Sequence, residues 1–313
     1  MQLLNLTLSF LFSIKFIVIL IFLTSALYVH YRGVDRHKFT RQLSDHSTFL
    51  APFNAIMYLF SAIPRTPFVD NSYFPATKLL KENWETIRDE AMNLLKNEYI
   101  KAADGYTDAG FNSFFRRGWK RFYIKWYGDY HPSAKKLCPN TIKLIEKTPG
   151  INAAMFALLP PGGRLVRHRD PYAGSMRYHL GLITPNNDDC FIFVDNQKYA
   201  WRDGEDVIFD ETYLHWAENK TDQTRVIFFC DLDRPLKFKP ACWFNYLFKR
   251  IFMHASQSPN FTSDQTGFIN KAFKYVYSVR LVGKKLKQKN RRLYYITKFF
   301  WIGGLLTFVI YLI

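Results

Sequence analysis

Cysteine is scarce: the 313 residues hold four, Cys138, Cys190, Cys230 and Cys242, and none falls in a CxxC or other metal-ligand spacing. That argues against a thiolate metal site and against a disulfide framework, so four reduced thiols facing the cytosol are expected. Acidic residues are outnumbered, 26 Asp and Glu against 43 Lys and Arg, and the net charge of +17 calls for an anionic partner. Nucleic acid, acidic lipid or a phosphorylated substrate would each serve. No internal repeat and no low-complexity segment is visible. The start of the chain lacks the positive n-region and the small-residue cleavage site of a secretory signal.

Apolar and aromatic side chains are abundant. Hydrophobic residues make up 48% and aromatics 18%, with 30 Phe and 19 Tyr, more aromatic surface than one globular core needs. A bilayer interface would absorb the excess. From Leu3 to Val29 the run is almost continuously apolar, broken chiefly by Lys15, and long enough to span. A shorter C-terminal run, Phe299 to Ile313, reaches spanning length if Tyr294 to Lys298 join it with a snorkelling lysine. A re-entrant or interfacial segment is the alternative there. Arg32, Arg36, Lys38 and Arg41 follow the first run, and seven basic residues with no acidic one lie between 280 and 292 before the second. By the positive-inside rule both flanks, and everything between them, are cytoplasmic. Attraction to anionic headgroups accounts for the basic run better than nucleic acid does, since no nucleic-acid motif accompanies it. Two further aromatic-aliphatic stretches, Phe49 to Ile63 and Ala241 to Met253, read equally as core helices or as helices in the membrane interface.

Between Thr77 and Ile100, apolar residues at Leu80, Trp84, Ile87, Ala91, Leu94 and Leu95 mark one helical face, and a short helix is expected from Pro139, ending by Gly150. From Asn152 the pattern turns to short strands: AAMFALLP, RLVRH, MRYHLGLIT, CFIFVD, QKYAW, DVIFD and RVIFFCDL. Many short strands punctuated by Pro, Gly and Asn, without helices between them, predict an antiparallel sandwich or jelly roll.

His168 and Asp170 are two apart at a probable strand end and so project to one side, within reach of one ion. His215 follows 47 residues later, near the end of another strand. Two imidazoles and a carboxylate on a β scaffold match the facial triad of non-haem Fe(II) oxygenases. Alone, His168 would read as a surface or capping histidine. A kinase reading of His-Arg-Asp fails, because Ser175 stands where its asparagine should be and no Gly-rich loop is present. Arg225 lies ten residues after His215, and a hairpin centred on Lys220 would set the two opposite each other on one face. An arginine fork beside a metal suits a dicarboxylate cosubstrate, although a surface arginine is the plainer alternative. In MRYHLGLIT, Arg177, His179 and Gly181 share one face and Tyr178, Leu180 and Leu182 the other. With the triad in place, the polar face is expected to line the pocket.

The segments HRDPYAGSMRYHLGL, DGEDVIFDETYLHWAENKT and RVIFFCDLDRPL resemble the aspartyl/asparaginyl β-hydroxylase superfamily of double-stranded β-helix oxygenases. Within it, the bacterial lipid A 2-hydroxylase branch is the most similar. The resemblance extends to NWETIRDEA and GWKRFYIKWYG. It implies iron ligands at His168, Asp170 and His215, a 2-oxoglutarate contact at Arg225, Arg177 and His179 near the cosubstrate, and dioxygen as oxidant. Animal protein hydroxylases of the superfamily carry glycine where Asp170 stands, which points to the lipid branch. A serine that aids 2-oxoglutarate binding in the relatives corresponds to Ala157.

The expected organisation is an anchor at 1–30, a membrane-proximal linker or interfacial helix at 31–74 and a dioxygenase domain at 75–240. An interfacial aromatic and basic region at 241–293 and a terminal transmembrane or interfacial segment at 294–313 complete it. The fold is expected to be mainly β, a jelly-roll core with flanking helices and terminal transmembrane helices. The expected activity is hydroxylation of C2 of a secondary acyl chain of lipid A, at the cytoplasmic face of a bacterial inner membrane. The expected partners are lipid A and anionic membrane lipids. A membrane-tethered protein Asp/Asn hydroxylase and a metal-free β-sandwich binding module are the competing readings.

Overall fold

The computed structural model describes residues 13–103 and 105–312. Its centre is a pair of antiparallel sheets. The strands are β1 (Phe68–Val69), β2 (Lys120–Trp126), β3 (Asp129–Tyr130), β4 (Ile151–Leu159), β5 (Arg164–His168), β6 (Ser175–Ile183), β7 (Cys190–Val194), β8 (Gln197–Ala200), β9 (Asp206–Phe209), β10 (His215–Asn219) and β11 (Arg225–Asp233). The large sheet runs β1-β9-β6-β11-β4-β2-β3 and the small one β5-β10-β7-β8. From β4 to β11 the chain changes sheet at every connection except the β7–β8 hairpin. That is the winding of a jelly roll, and it brings residues far apart in sequence to face one another across the sandwich.

Period-two geometry divides each strand of the large sheet between two cores. Ala153, Met155, Ala157, Leu159, Ile227 and Phe229 point inward at the small sheet. Ala154, Phe156, Leu158, Tyr178, Leu180, Leu182, Val226 and Phe228 point outward, where they meet Leu80, Ile87, Ala91 and Leu94 of the helical layer. Both faces are covered, so apolar residues occupy most positions of these strands, and the polar ones turn inward on β6 and β11. The same covering hid β2 from pattern reading, since six of its seven residues are at least largely buried and no alternation marks it.

The expected helix between Thr77 and Ile100 is two helices, Lys78–Glu82 and Trp84–Lys96, with Asn83 between them. Asn83 turns its amide back to the Leu79 carbonyl at 2.8 Å, a local bond that competes with the helical ladder. The short helix from Pro139 closes at Glu146. Gly181 sits where the carbonyl of Arg202 crosses β6, and a Cβ there would lie 2.0 Å from that oxygen.

The helix Ile14–Tyr31 is long and apolar enough to cross a membrane, and it is the one helix among the described residues that meets this description. Residues 3–12 of the expected anchor lie outside the described residues. Arg291–Leu312 is helical, and a second terminal span is not confirmed among the described residues. The stretch 31–74 is not a free linker. Ala51, Phe53, Met57 and Tyr58 of the helix Ala51–Leu59 are buried in the inward core, and β1 pairs with β9. The helix Lys239–Phe248 differs, burying only Ala241 and Asn245. The four thiols are unpaired.

Phe228 and Phe156 are fully buried neighbours on the outward face, with ring centroids 5.8 Å apart. Phe228→Ala should therefore destabilise the fold by about 3–5 kcal/mol, measured by urea unfolding in detergent. A cost below ~1 kcal/mol would mean that the helical layer is not packed there.

Candidate active site

β5 and β10 pair directly, and His168, the last residue of β5, lies opposite His215, the first of β10. Their ring centroids are 4.2 Å apart. Asp170 follows β5 in a loop fixed by its own backbone N–H, which donates to the Glu211 carbonyl at 2.9 Å. The ligand-capable atoms of His168, Asp170 and His215 all lie within 4.8 Å of one another.

The tautomers follow from the backbone. His168 Nδ1 is 2.6 Å from the Val166 carbonyl and His215 Nδ1 is 2.9 Å from that of Tyr213. A carbonyl only accepts, so each Nδ1 carries the proton and each Nε2 keeps its lone pair for the cavity. Burial, then the neighbouring His168, pushes the His215 pKa down to about 3, so the ring is neutral at pH 7. Burial would raise Asp170, but Arg177 and the two histidines outweigh it and hold the carboxyl well below its usual range. Two imidazoles and one carboxylate form a donor set that fits a divalent first-row metal.

Behind Asp170 lies Arg177, whose guanidinium NH2 donates to Asp170 Oδ2 at 2.9 Å and leaves Oδ1 facing His168. Its Nε is 2.8 Å from Asp231 and 2.9 Å from Glu211. One N–H cannot serve both, and the hydrogen bond goes to Asp231. Burial, reinforced by the charges of Asp231 and Asp170, pushes Glu211 well above the ordinary carboxyl range despite Arg177. The shift runs towards the protonated form, which lessens the negative charge gathered around the one guanidinium. Tyr127 donates to the other oxygen of Asp231 at 2.8 Å.

The cavity between the sheets is lined by the triad together with Arg177, His179, Trp201, Arg225 and Ala157. Arg225 is 1% exposed. Its guanidinium lies over the Trp201 ring at 4.4 Å and has no carboxylate partner among the described residues. Burial lowers its pKa to about 10, which still leaves it cationic at pH 7. Both ring nitrogens of His179, Trp201 Nε1 and Arg225 Nε are buried without a hydrogen-bond partner among the described residues. Phe111, Phe114 and Trp119 also line this cavity, with the Phe114 ring 4.8 Å from that of His168.

The hairpin geometry expected for His215 and Arg225 is wrong. β10 and β11 belong to different sheets, and Arg225 pairs with Leu159 while His215 pairs with His168 and Val194. His215 also begins its strand instead of ending it. The two residues meet by facing each other across the sandwich, because the connection between them crosses it. Trp201, Glu211 and Asp231 were missed. Strand parity could have found Asp231, which stands at an even offset from Arg225 on β11.

With this geometry in place, comparison with known proteins becomes specific. Residues 81–235 match the family model described as Aspartyl/Asparaginyl beta-hydroxylase. The chain belongs to that family. A relative is the ornithine lipid ester-linked acyl 2-hydroxylase of Rhizobium tropici, 38% identical over 190 residues, covering 60% of this chain and 67% of that protein. The human aspartyl/asparaginyl beta-hydroxylase is 28% identical over 53% of this chain, which spans 22% of that protein. A prolyl-4-hydroxylase structure from Pseudomonas putida overlaps 58% of the chain at 15% identity with a TM-score of 0.33. The strand order, not that overlap, identifies the jelly roll in this β-hydroxylase family member. A lipid-hydroxylase relative accords with the branch that the sequence resembles, although its named lipid is ornithine lipid.

In this hydroxylase-family chain, Arg177→Met should cost about 3–5 kcal/mol, because it leaves buried carboxylates without their cation. Thermal unfolding of the detergent-solubilised protein checks this. A midpoint shifted by less than a degree would show that the carboxylates are all neutral.

Proposed function

We propose that the chain is an Fe(II)- and 2-oxoglutarate-dependent hydroxylase of membrane-lipid acyl chains. It acts at C2 of a secondary acyl chain of lipid A, from the cytoplasmic side of a bacterial inner membrane. The observation that carries this reading is Arg225, a buried cation without a carboxylate, facing the cavity into which the triad's lone pairs point. A buried guanidinium in that state is the counter-charge of an anionic ligand, and its fork matches the distal carboxylate of a dicarboxylate.

His168, Asp170 and His215 would hold iron(II), and the metal when bound would supply the activation of dioxygen by which 2-oxoglutarate is oxidised to succinate and CO2 and the second oxygen atom enters an unactivated C–H bond. The protein's part is positioning. Arg177 fixes the Asp170 carboxylate, and the Val166 and Tyr213 carbonyls fix the two imidazoles. Arg225 grips the distal carboxylate, while Trp201 and His179 offer polar atoms beside it. Ala157 leaves the space that a serine fills in relatives. Phe111, Phe114 and Trp119 form an apolar entrance suited to an alkyl chain. The volume open to a water-sized sphere there is about 30 Å³. The apolar helix Ile14–Tyr31 would hold this entrance at the bilayer, where a lipid substrate gains from tethering and a soluble peptide does not.

The Rhizobium tropici relative favours a second reading of the same chemistry, with an ornithine lipid as acyl donor. Expression in a host that makes unmodified lipid A and ornithine lipid separates the two. One added oxygen on a lipid A secondary acyl chain, lost in His168→Ala, Asp170→Ala and His215→Ala, is the expected result. Hydroxylation of ornithine lipid alone would move the substrate to the second reading, and a hydroxylated Asp or Asn in a membrane protein would replace both. Arg225→Lys should raise the 2-oxoglutarate concentration needed for half-maximal turnover by tenfold or more, since an ammonium cannot reproduce the fork. An unchanged requirement would mean that another group binds the cosubstrate.

A further inference from the structure

A second cavity, about 440 Å³ in volume, opens outside the metal site between the end of β2 and the run Tyr246 to His254. Lys125, Lys249 and Arg250 line it against a single lining carboxylate, Asp129. Lys249 is paired with Asp233, but Lys125 and Arg250 are in no ion pair among the described residues. Lys125 gives one N–H to the Ile151 carbonyl at 2.8 Å, and Arg250 gives one to the Tyr246 hydroxyl at 2.8 Å. Each keeps further donors for a ligand. His254 Nδ1 is buried in the wall without a partner. It faces Gly128, where a Cβ would stand 3.1 Å from it.

The run that lines this cavity also carries exposed apolar side chains. Trp243, Ile251 and Phe252 are 64%, 58% and 53% exposed, in the same short run as Lys249 and Arg250. Phe53 joins this run to the anchor's base: its ring is 5.1 Å from Phe244 and 4.2 Å from Phe248. The helix carrying Phe53 packs against Ile14–Tyr31. A cationic hollow whose lining run carries exposed aromatics beside a membrane helix is the chemistry of a lipid headgroup seat, with those aromatics in the acyl boundary.

We propose that this cavity binds the phosphate of an anionic membrane lipid, separately from the substrate of the metal site. Arg250 and Lys125 contact the phosphate oxygens, with His254 at the wall, and Trp243 and Phe252 seat the glycerol and acyl portion. The seat is also wired to the catalytic side. The Tyr127 ring lines it and the Tyr127 hydroxyl holds Asp231, which holds Arg177 and through it Asp170.

Native mass spectrometry of the full chain in detergent, with phosphatidylglycerol or phosphatidylcholine added, tests the seat. Phosphatidylglycerol should be retained about tenfold more than phosphatidylcholine, and Arg250→Glu or Lys125→Gln should each remove most of that preference. His168→Ala should leave it intact, so failure of the hydroxylase reading would not touch it. Neutralising Lys284, Lys285 and Lys287 together should also leave the tight adduct. Equal retention of the two lipids, or a preference that survives Arg250→Glu but falls with the three lysines, overturns the seat. Inorganic phosphate binding as tightly as phosphatidylglycerol would assign the cavity to a free anion and overturn the lipid.

Discussion

The arrangement of the site hangs on the guanidinium of Arg177. It is buried, over the Phe229 ring at 3.8 Å, and it is the shared partner of Asp170, Glu211 and Asp231. Burial alone would weaken its charge, and the carboxylates reverse that and hold the pKa above its ordinary value. The balance matters for function because that field, together with the two histidines, draws Asp170 towards its ionised form, while Glu211, which takes no hydrogen bond from the same N–H, shifts the other way. The cluster thus sorts three carboxyls into one ligand and two supports, through the geometry of a single planar group.

The loop that carries Asp170 is braced from its other side by the N-terminal segment. Arg169, between the two candidate ligands, is 1% exposed and donates at 2.7 Å to the Val29 carbonyl at the end of the apolar helix. A cation at a helix C-terminus is favourably placed against the helix dipole. Asn54 closes the next turn, donating to Pro171 and accepting from the Ala173 N–H, both at 2.9 Å. Arg32 reaches Thr212 at 2.7 Å and pairs with Asp210 just upstream of His215. Both candidate ligand segments are therefore fastened to the base of the same helix. The apolar helix thus fixes how the cavity is oriented relative to itself.

Local chemistry explains what was legible in the sequence. His168, Asp170 and His215 stood out because metal-ligating residue types recur at a spacing that strands can converge, and Arg177 and His179 because parity puts them on one face of β6. The run MRYHLGLIT became a strand with its polar residues inward, as parity requires. What could not be read was which sheet each strand joins. A ten-residue separation with Asn, Lys, Thr and Asp between reads as a hairpin, yet the chain from His215 to Arg225 passes from the small sheet to the large one. That outcome is decided by the long-range pairing of β11 with β4 and β6. Strand β2 was invisible for a related reason, since covering both faces of a sheet erases the alternation that identifies it.

The unpartnered polar groups at the cavity floor carry the last step. A folded chain leaves few buried donors unmet, because each costs about 1–3 kcal/mol. Here Arg225, His179 and Trp201 are left so, within a wall otherwise built of Ile192, Ala217, Ile227 and Phe229. Arg177, on the same wall, gives its Nε to Asp231 and its NH2 to Asp170. Had the floor been a structural polar cluster, one of the carboxyls gathered at Arg177 would have sufficed to compensate Arg225. Their confinement to one end divides the cavity into an end that is internally neutralised, beside the triad, and an end that keeps an uncompensated positive charge. A small dianion with one end at the metal and the other at Arg225 would complete both, and that polarity argues for a cosubstrate lying across the floor while the acyl chain enters along the aromatic lining.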